Sequence, residues 1–251
     1  MTDAADRFRR VGVLGGMGVE ATIALMQRVH AATAAEGDQD HAPMIVDMNP
    51  QVPSRLRHII TQDGPDPGPV LAQMAKRLEQ AGAQVLAMPC NTAHLYASNI
   101  VQAVNIPLLN MPRLACSEAA CGMTRGDVVG VLASPATNRT GLFRNLLEDA
   151  DLRSAFPEDE TEILASIRRI KKHGPSQADL TLLENEAATL VREGAARVII
   201  GCTEFSLVSK QIRCPVPVLD TLDVLANAIV VFSGVRAKRV TWQSEPHVKH
   251  P

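Results

Sequence analysis

Apolar residues occur along this chain in short unbroken runs, each followed by a stretch where they recur three or four positions apart. Unbroken runs fit strands buried on both faces, and the recurring spacing fits helices packed over them. The first run, residues 11–16, ends in glycines and leads into a helical stretch over 18–35. A second strand is predicted over 42–48, opening into the loop 49–55, and 61–69 is so dense in Gly, Pro and Asp that it reads as a surface loop. A helix over 70–80, a strand over 83–89, a helix over 91–104 and a strand over 106–111 follow. The second half predicts a strand over 126–134, a helix over 135–150, a short segment at 152–156 and helices over 159–172 and 177–192. A strand over 195–201, a helix after Cys202, a strand over 216–220 and a helix over 221–233 complete the pattern. The tail, 236–250, has weak periodicity and is expected to be loosely ordered.

The two halves repeat one plan. "AGAQVLAMPCNT" and "EGAARVIIGCTE" both place a cysteine eight positions after a glycine, Gly82 to Cys90 and Gly194 to Cys202. Gly12 and Gly130, Cys90 and Cys202, and Pro107 and Pro217 correspond in the same order, at position differences of 118, 112 and 110. Three ordered matches at nearly constant offset indicate internal duplication. The expected fold class is therefore α/β: two similar parallel-sheet domains with an active site in the cleft between them. Residues 113–219 are expected to form the second domain. Residues 1–112 and 220–251 form the first, with the last helix packing back on it. The segment 111–120 is the crossing point.

Composition narrows the function classes. At 251 residues and 46% hydrophobic, the chain can bury a sizeable core. A formal charge of −2 with no dense Lys/Arg block, and only 3% aromatics, gives no electrostatic or stacking basis for a nucleic acid or a membrane surface as partner. The polar N-terminus and the lack of a long apolar run lead to the expectation of a cytoplasmic protein. Five cysteines without a C-x-x-C pair, and no Cys or His at finger spacing, argue against a disulfide framework and against a metal site.

Each cysteine is then core filler or a reactive thiol. Cys116, Cys121 and Cys214 match nothing across the repeat and read as structural. Cys90 and Cys202 fall beyond the carboxyl ends of strands, where parallel α/β sheets bind ligands. Helix N-termini after them would lower thiol pKa values, and their N–H groups, with Asn91, Thr92 and Thr203, would hold a carboxylate. The loop "LGGMGVE" lies at the same sheet edge, offering the backbone of Gly16 and Met17 to a ligand. It lacks the dinucleotide and P-loop spacings. Two thiols facing one small molecule suit proton removal from one face of a carbon and delivery to the other.

Together "LGGMG", "NPQVPSR", "MPCNTAH" and "GCTEFS" resemble the aspartate/glutamate racemase family over residues 11–233. The resemblance implies two α/β domains, a homodimer, no cofactor (neither pyridoxal phosphate nor metal) and catalytic cysteines at Cys90 and Cys202. It also implies that Asn49 and Gln51 line the pocket and that Arg55 recognises substrate or closes a loop. Asn91, Thr92, Thr203 and Glu204 would anchor the amino acid. The "KKHG" run points to Lys172, with Lys171 next. Val19 and Ser54 depart from the Pro and Asp common at those places. The expected activity is racemisation of aspartate, glutamate or a related amino acid. The alternatives are a decarboxylase or cis-trans isomerase of a small dicarboxylate on the same scaffold, or a non-catalytic small-ligand-binding protein.

Overall fold

The computed structural model describes residues 7–238. The first sheet is built from β1 (Val11–Gly15), β2 (Met44–Met48), β3 (Val85–Ala87) and β4 (Leu108–Leu109), all parallel, in the order β2-β1-β3-β4. The second has β5 (Val128–Ala133), β6 (Arg153–Ala155), β7 (Ala195–Gly201) and β8 (Val218–Asp220), in the corresponding order β6-β5-β7-β8. Helices α1 (Val19–Ala32), α2 (Gly68–Gln80) and α3 (Ala97–Val101) belong to the first half; α4 (Met111–Ala120) crosses to the second. There follow α5 (Pro135–Arg139), α6 (Leu142–Glu148), α7 (Glu160–His173), α8 (Gln177–Arg192) and α9 (Thr221–Ser233).

The unbroken apolar runs are explained by burial on both faces. Val11, Val13, Val85 and Ala87 pack with Leu25 and Val29 of α1 and with Leu222, Leu225, Ile229 and Val230 of α9. Their neighbours Leu14, Leu86 and Met88 turn to the other face, against Leu71, Met74 and Leu78 of α2. In the second sheet Leu132, Val198 and Ile200 meet α7 and α8, while Val129, Val131 and Ile199 meet Phe143 and Leu147 of α6. Each fully buried Leu or Val of this kind stabilises the fold by about 1.5–3 kcal/mol. The duplication reaches single atoms. A methyl on Gly12 would stand 3.1 Å from Leu78 Cβ of α2, and one on its counterpart Gly130 3.1 Å from Leu190 Cβ of α8, so both strands need glycine where a helix crosses closely.

Several predicted helices are shorter than their sequence pattern. The stretch 91–104 is a 3₁₀ turn, Thr92–Tyr96, followed by the brief α3. The stretch 135–150 breaks into α5 and α6 at Gly141, whose φ of +69° suits no L side chain well. After Cys202 there are only two 3₁₀ turns, Phe205–Leu207 and Ser209–Gln211. The crossing segment is itself a helix, capped by the Asn110 side chain accepting from the Arg113 N–H at 3.1 Å. Of the tail expected to be loose, Ala237 bridges Thr33 and the Lys238 N–H donates to the Ala32 carbonyl. Residues 239–250 lie outside the described residues.

Candidate active site

In each sheet the chain order reverses beside β1 or β5, which makes the carboxyl ends of β1/β3 and β5/β7 the crevices for a ligand. The Gly-rich loop follows β1 and Cys90 follows β3; Ser134 follows β5 and Cys202 follows β7. The two crevices meet where Thr92 Oγ1 and Ser134 Oγ share a hydrogen bond of 3.2 Å. Both thiols are nearly enclosed, Cys90 7% and Cys202 6% exposed.

The Cys90 turn is held from behind. His94, 5% exposed, has Nδ1 2.9 Å from the Cys90 carbonyl and Nε2 3.2 Å from the Met111 N–H. The Met111 N–H can only donate, so Nε2 is the acceptor and Nδ1 carries the proton. Burial pulls the imidazole down to about 4, against the backbone hydrogen bonds that favour its charged form. His94 is therefore a neutral strut. Asn91, 2% exposed, donates from Nδ2 to Thr221 Oγ1 at 3.0 Å, while its Oδ1 is buried with no partner.

The Cys202 turn is held through the sulfur itself. The Cys202 S–H donates to Glu204 Oε2 at 3.0 Å, and Glu204 Oε1 lies 3.1 Å from the Lys171 ammonium. Burial pushes the Cys202 thiol well above its ordinary range; the Glu204 charge and hydrogen bond add to that, and Lys171 opposes it. The expectation of a thiol activated by a helix N-terminus is thus reversed for Cys202. Only a three-residue 3₁₀ turn follows it, too short to sum a useful dipole, and a carboxylate sits against the sulfur. Thr203 is buried at 3% exposure beside it.

Lys171 pairs with Glu204 and lies within electrostatic reach of both cysteines. Burial would lower the pKa of its ammonium, but the adjacent Glu204 carboxylate, joined by either cysteine when it ionises, outweighs this and raises it. Its side chain remains 41% accessible, as expected of a carbon stem lying along the rim with the ammonium reaching inward. Lys172, the residue favoured by the Lys-x-Gly spacing, is exposed and forms no hydrogen bond or ion pair with the described residues. Successive helical residues project about 100° apart, so only one of the pair can enter the cleft.

The remaining expected positions form the first domain's rim. Gly16 has φ +92°, and a methyl there would fall 2.3 Å from the Asn49 carbonyl carbon, so the glycine loop lies directly on the Asn49 backbone. Met17 is buried. Asn49 Oδ1 accepts from the Gln51 N–H at 3.0 Å, and Gln51 itself is exposed. Arg55, expected to recognise substrate or close a loop, donates to the carbonyls of Pro53 (2.8 Å), Val52 (3.3 Å) and Met17 (3.2 Å), pinning the glycine loop. Its Nε is buried without a partner. Across the cleft a methyl on Gly18 would stand 3.7 Å from Glu204 Oε1, so the glycine loop and Glu204 face each other. Ser134, Thr221 and His94 were not among the expected site residues. Ser134 was findable, since it lies 118 positions after Gly16, the offset that relates Gly12 to Gly130.

Among the described residues no group of three or more His, Cys, Asp or Glu side chains could hold a metal ion, and no helix is long and apolar enough to cross a membrane. The family model described as Asp/Glu/Hydantoin racemase matches residues 14–229. Among solved structures, Picrophilus torridus aspartate racemase is similar at a TM-score of 0.81 and 27% identity, over 92% of this chain and 96% of that one. Francisella tularensis glutamate racemase, solved in complex with D-glutamate, shares the fold at a TM-score of 0.65 and 16% identity, over 93% of this chain and 85% of that one. The broad specificity amino-acid racemase RacX of Bacillus subtilis is 24% identical over 228 residues, 88% of this chain and 96% of RacX.

Proposed function

Because the chain belongs to the Asp/Glu/Hydantoin racemase family, we propose that it racemises aspartate, glutamate or a related amino acid by two-base proton transfer between Cys90 and Cys202. The observation that supports this reading is that cysteines at matching positions of the two halves, both nearly enclosed, follow strands whose crevices meet at the Thr92–Ser134 hydrogen bond. Cys202 rests as a thiol, its S–H directed at Glu204. Cys90, as thiolate, takes the Cα proton from one face, and the Cys202 S–H delivers a proton to the other. One proton leaves carbon and one arrives, with Cys90 protonated and Cys202 ionised at the end. The opposite enantiomer uses the thiols in exchanged roles.

Charge developing on the substrate carboxylate during proton removal is met by the Lys171 ammonium and the backbone N–H groups of the two turns. The unpartnered Asn91 Oδ1 offers an acceptor to the substrate ammonium, and Arg55 Nε a donor to a carboxylate. RacX bears the name of a broad-specificity enzyme, so the substrate panel should extend beyond aspartate and glutamate. The test is incubation of the protein with L-amino acids in heavy water, following Cα exchange and the appearance of D-isomer. Cys90→Ala and Cys202→Ala should each reduce racemisation by at least about a thousand-fold, the scale on which essential proton-transfer groups act. Retention of racemisation by either variant refutes the two-base reading.

A further inference from the structure

The carboxyl end of β8 and the first residue of α9 contact both cysteine turns without touching either sulfur. Thr221, fully buried, donates from Oγ1 to the Ile200 carbonyl at 3.0 Å and accepts from Asn91 Nδ2 at 3.0 Å. One hydroxyl therefore spans the strand that ends at Cys202 and the residue that follows Cys90. Its neighbour Asp220, 5% exposed, accepts on Oδ1 from Ser206 Oγ (2.7 Å) and the Leu222 N–H (2.9 Å). On Oδ2 it accepts from Arg28 (2.8 Å) and Ser209 Oγ. Ser206 and Ser209 belong to the turns that follow Cys202 and Glu204. Arg28 also pairs with Asp223 at 2.8 Å and donates to the Ser206 carbonyl. Arg28 sits on α1, whose first turn is fastened to the glycine loop: Thr22 Oγ1 accepts from the Gly16 N–H and donates to the Gly18 carbonyl, both at 3.0 Å.

We propose that Asp220 and Thr221, with Arg28, are positioning residues that hold the Cys90 and Cys202 turns and the glycine loop at one fixed separation. Fold maintenance alone would not require these bonds to end on Asn91, Ile200, Ser206 and Gly16/Gly18, the immediate supports of the two thiols and the loop facing them. Proton transfer between carbon and sulfur is steep in geometry, and a displacement of about 1 Å can cost about a hundred-fold in rate. The inference rests on the two-thiol reading above for its kinetic consequence, though its structural consequence stands apart from it.

Thr221→Val preserves shape and removes both hydrogen bonds; Thr221→Ser keeps the hydroxyl. The expected result is a kcat lowered by about ten- to a hundred-fold in the valine variant, KM changed by less than about three-fold, and recovery to within about three-fold in the serine variant. The second readout needs no turnover: iodoacetamide alkylation of each cysteine, located by mass spectrometry. Cys90 and Cys202 should react several-fold faster in Thr221→Val. Cys116 should keep its native rate, because it lies 2% exposed in the second domain's core, outside this network. Arg28→Met, with a partly accessible side chain and so a milder change, should accelerate Cys202 and leave Cys90 near its native rate. Equal acceleration of Cys90, Cys202 and Cys116 in Thr221→Val would mean global loosening and overturn the proposal, as would unchanged rates at Cys90 and Cys202. If the wild-type protein exchanges no amino acid, the functional reading fails and the alkylation rates still decide this one.

Discussion

Replacing Glu204 by glutamine keeps the volume of the side chain and removes its charge. In the native site one carboxylate oxygen takes the Cys202 S–H at 3.0 Å and the other meets Lys171 at 3.1 Å. A unit charge about 3 Å from a thiolate, at an effective dielectric of about 20, opposes its formation by about 5 kcal/mol. The Lys171 ammonium, on the far oxygen and partly screened at the rim, cancels a large share, leaving a net opposition of about 1–3 kcal/mol. Removing a negative charge favours the thiolate, so the Cys202 pKa must fall in Glu204→Gln; Lys171, released from its partner, pulls the same way. At about 1.4 kcal/mol per ten-fold, the thiolate population near about pH 8 rises by roughly ten-fold or more. The assay is alkylation of Cys202 across a pH series, with Cys90 followed in the same digests. The Cys202 profile should shift to lower pH, with a much smaller change at Cys90. In turnover, kcat in the direction that needs Cys202 to give a proton should fall at neutral pH relative to kcat in the other direction, with KM moving in step because the two enantiomers are equal in free energy. A Cys202 profile that stays in place, or moves to higher pH, refutes the assignment of Glu204 as the group that keeps this thiol protonated.

Two further outcomes follow from buried polar groups. His94 is held near 4 against an ordinary value of 6.5, so its contribution to stability is complete above about pH 6.5 and is lost as pH falls toward 4; unfolding free energy should drop by about 2 kcal/mol between pH 7.5 and 5, measured by denaturant titration, and His94→Gln should flatten that slope. Asp179, fully buried, accepts from Ser166 Oγ at 2.7 Å, Ser176 Oγ at 2.6 Å and Arg169 at 2.9 Å, so Asp179→Ala should cost about 3 kcal/mol of stability and loosen the turn behind Lys171. Urea midpoints unchanged within error would contradict it.

The strands, their parallel pairing and the places of the two cysteines were legible because burial on both faces writes an unbroken apolar run, and duplication writes it twice. The segments after the cysteines depart from their helical pattern for a physical reason. Asn91, Thr92 and Ser206 use their side chains on Thr221, Ser134 and Asp220, so these segments follow long-range bonds in place of the helical propensity of their residues. Such partners lie 130, 42 and 14 positions away and leave no local pattern. The lysine is a different case. Ile163, Ile167 and Ile170 form the buried stripe of α7, and Lys171 continues it four positions after Ile167, whereas Lys172 does not. The helical phase held that information; the Lys-x-Gly spacing obscured it.

The duplication also separates scaffold from chemistry. In each half the residue four positions past the cysteine reaches the junction after that half's last strand: His94 accepts from the Met111 N–H, and Ser206 donates to Asp220. The supports are equivalent. Two positions past the cysteine they are not, for Thr92 offers a neutral hydroxyl to Ser134 where Glu204 offers a charge to its own thiol. A symmetric pair would leave the single proton of a thiol/thiolate site equally at home on either sulfur. One carboxylate on one side breaks that degeneracy and stores the proton on Cys202, so that under the proposed mechanism one enantiomer meets a site already in its working protonation state. Its mirror image must wait until the proton has moved to Cys90. The unequal pair thus makes the starting protonation state a property of position 204, and leaves the common scaffold to set the distance across which the proton is passed.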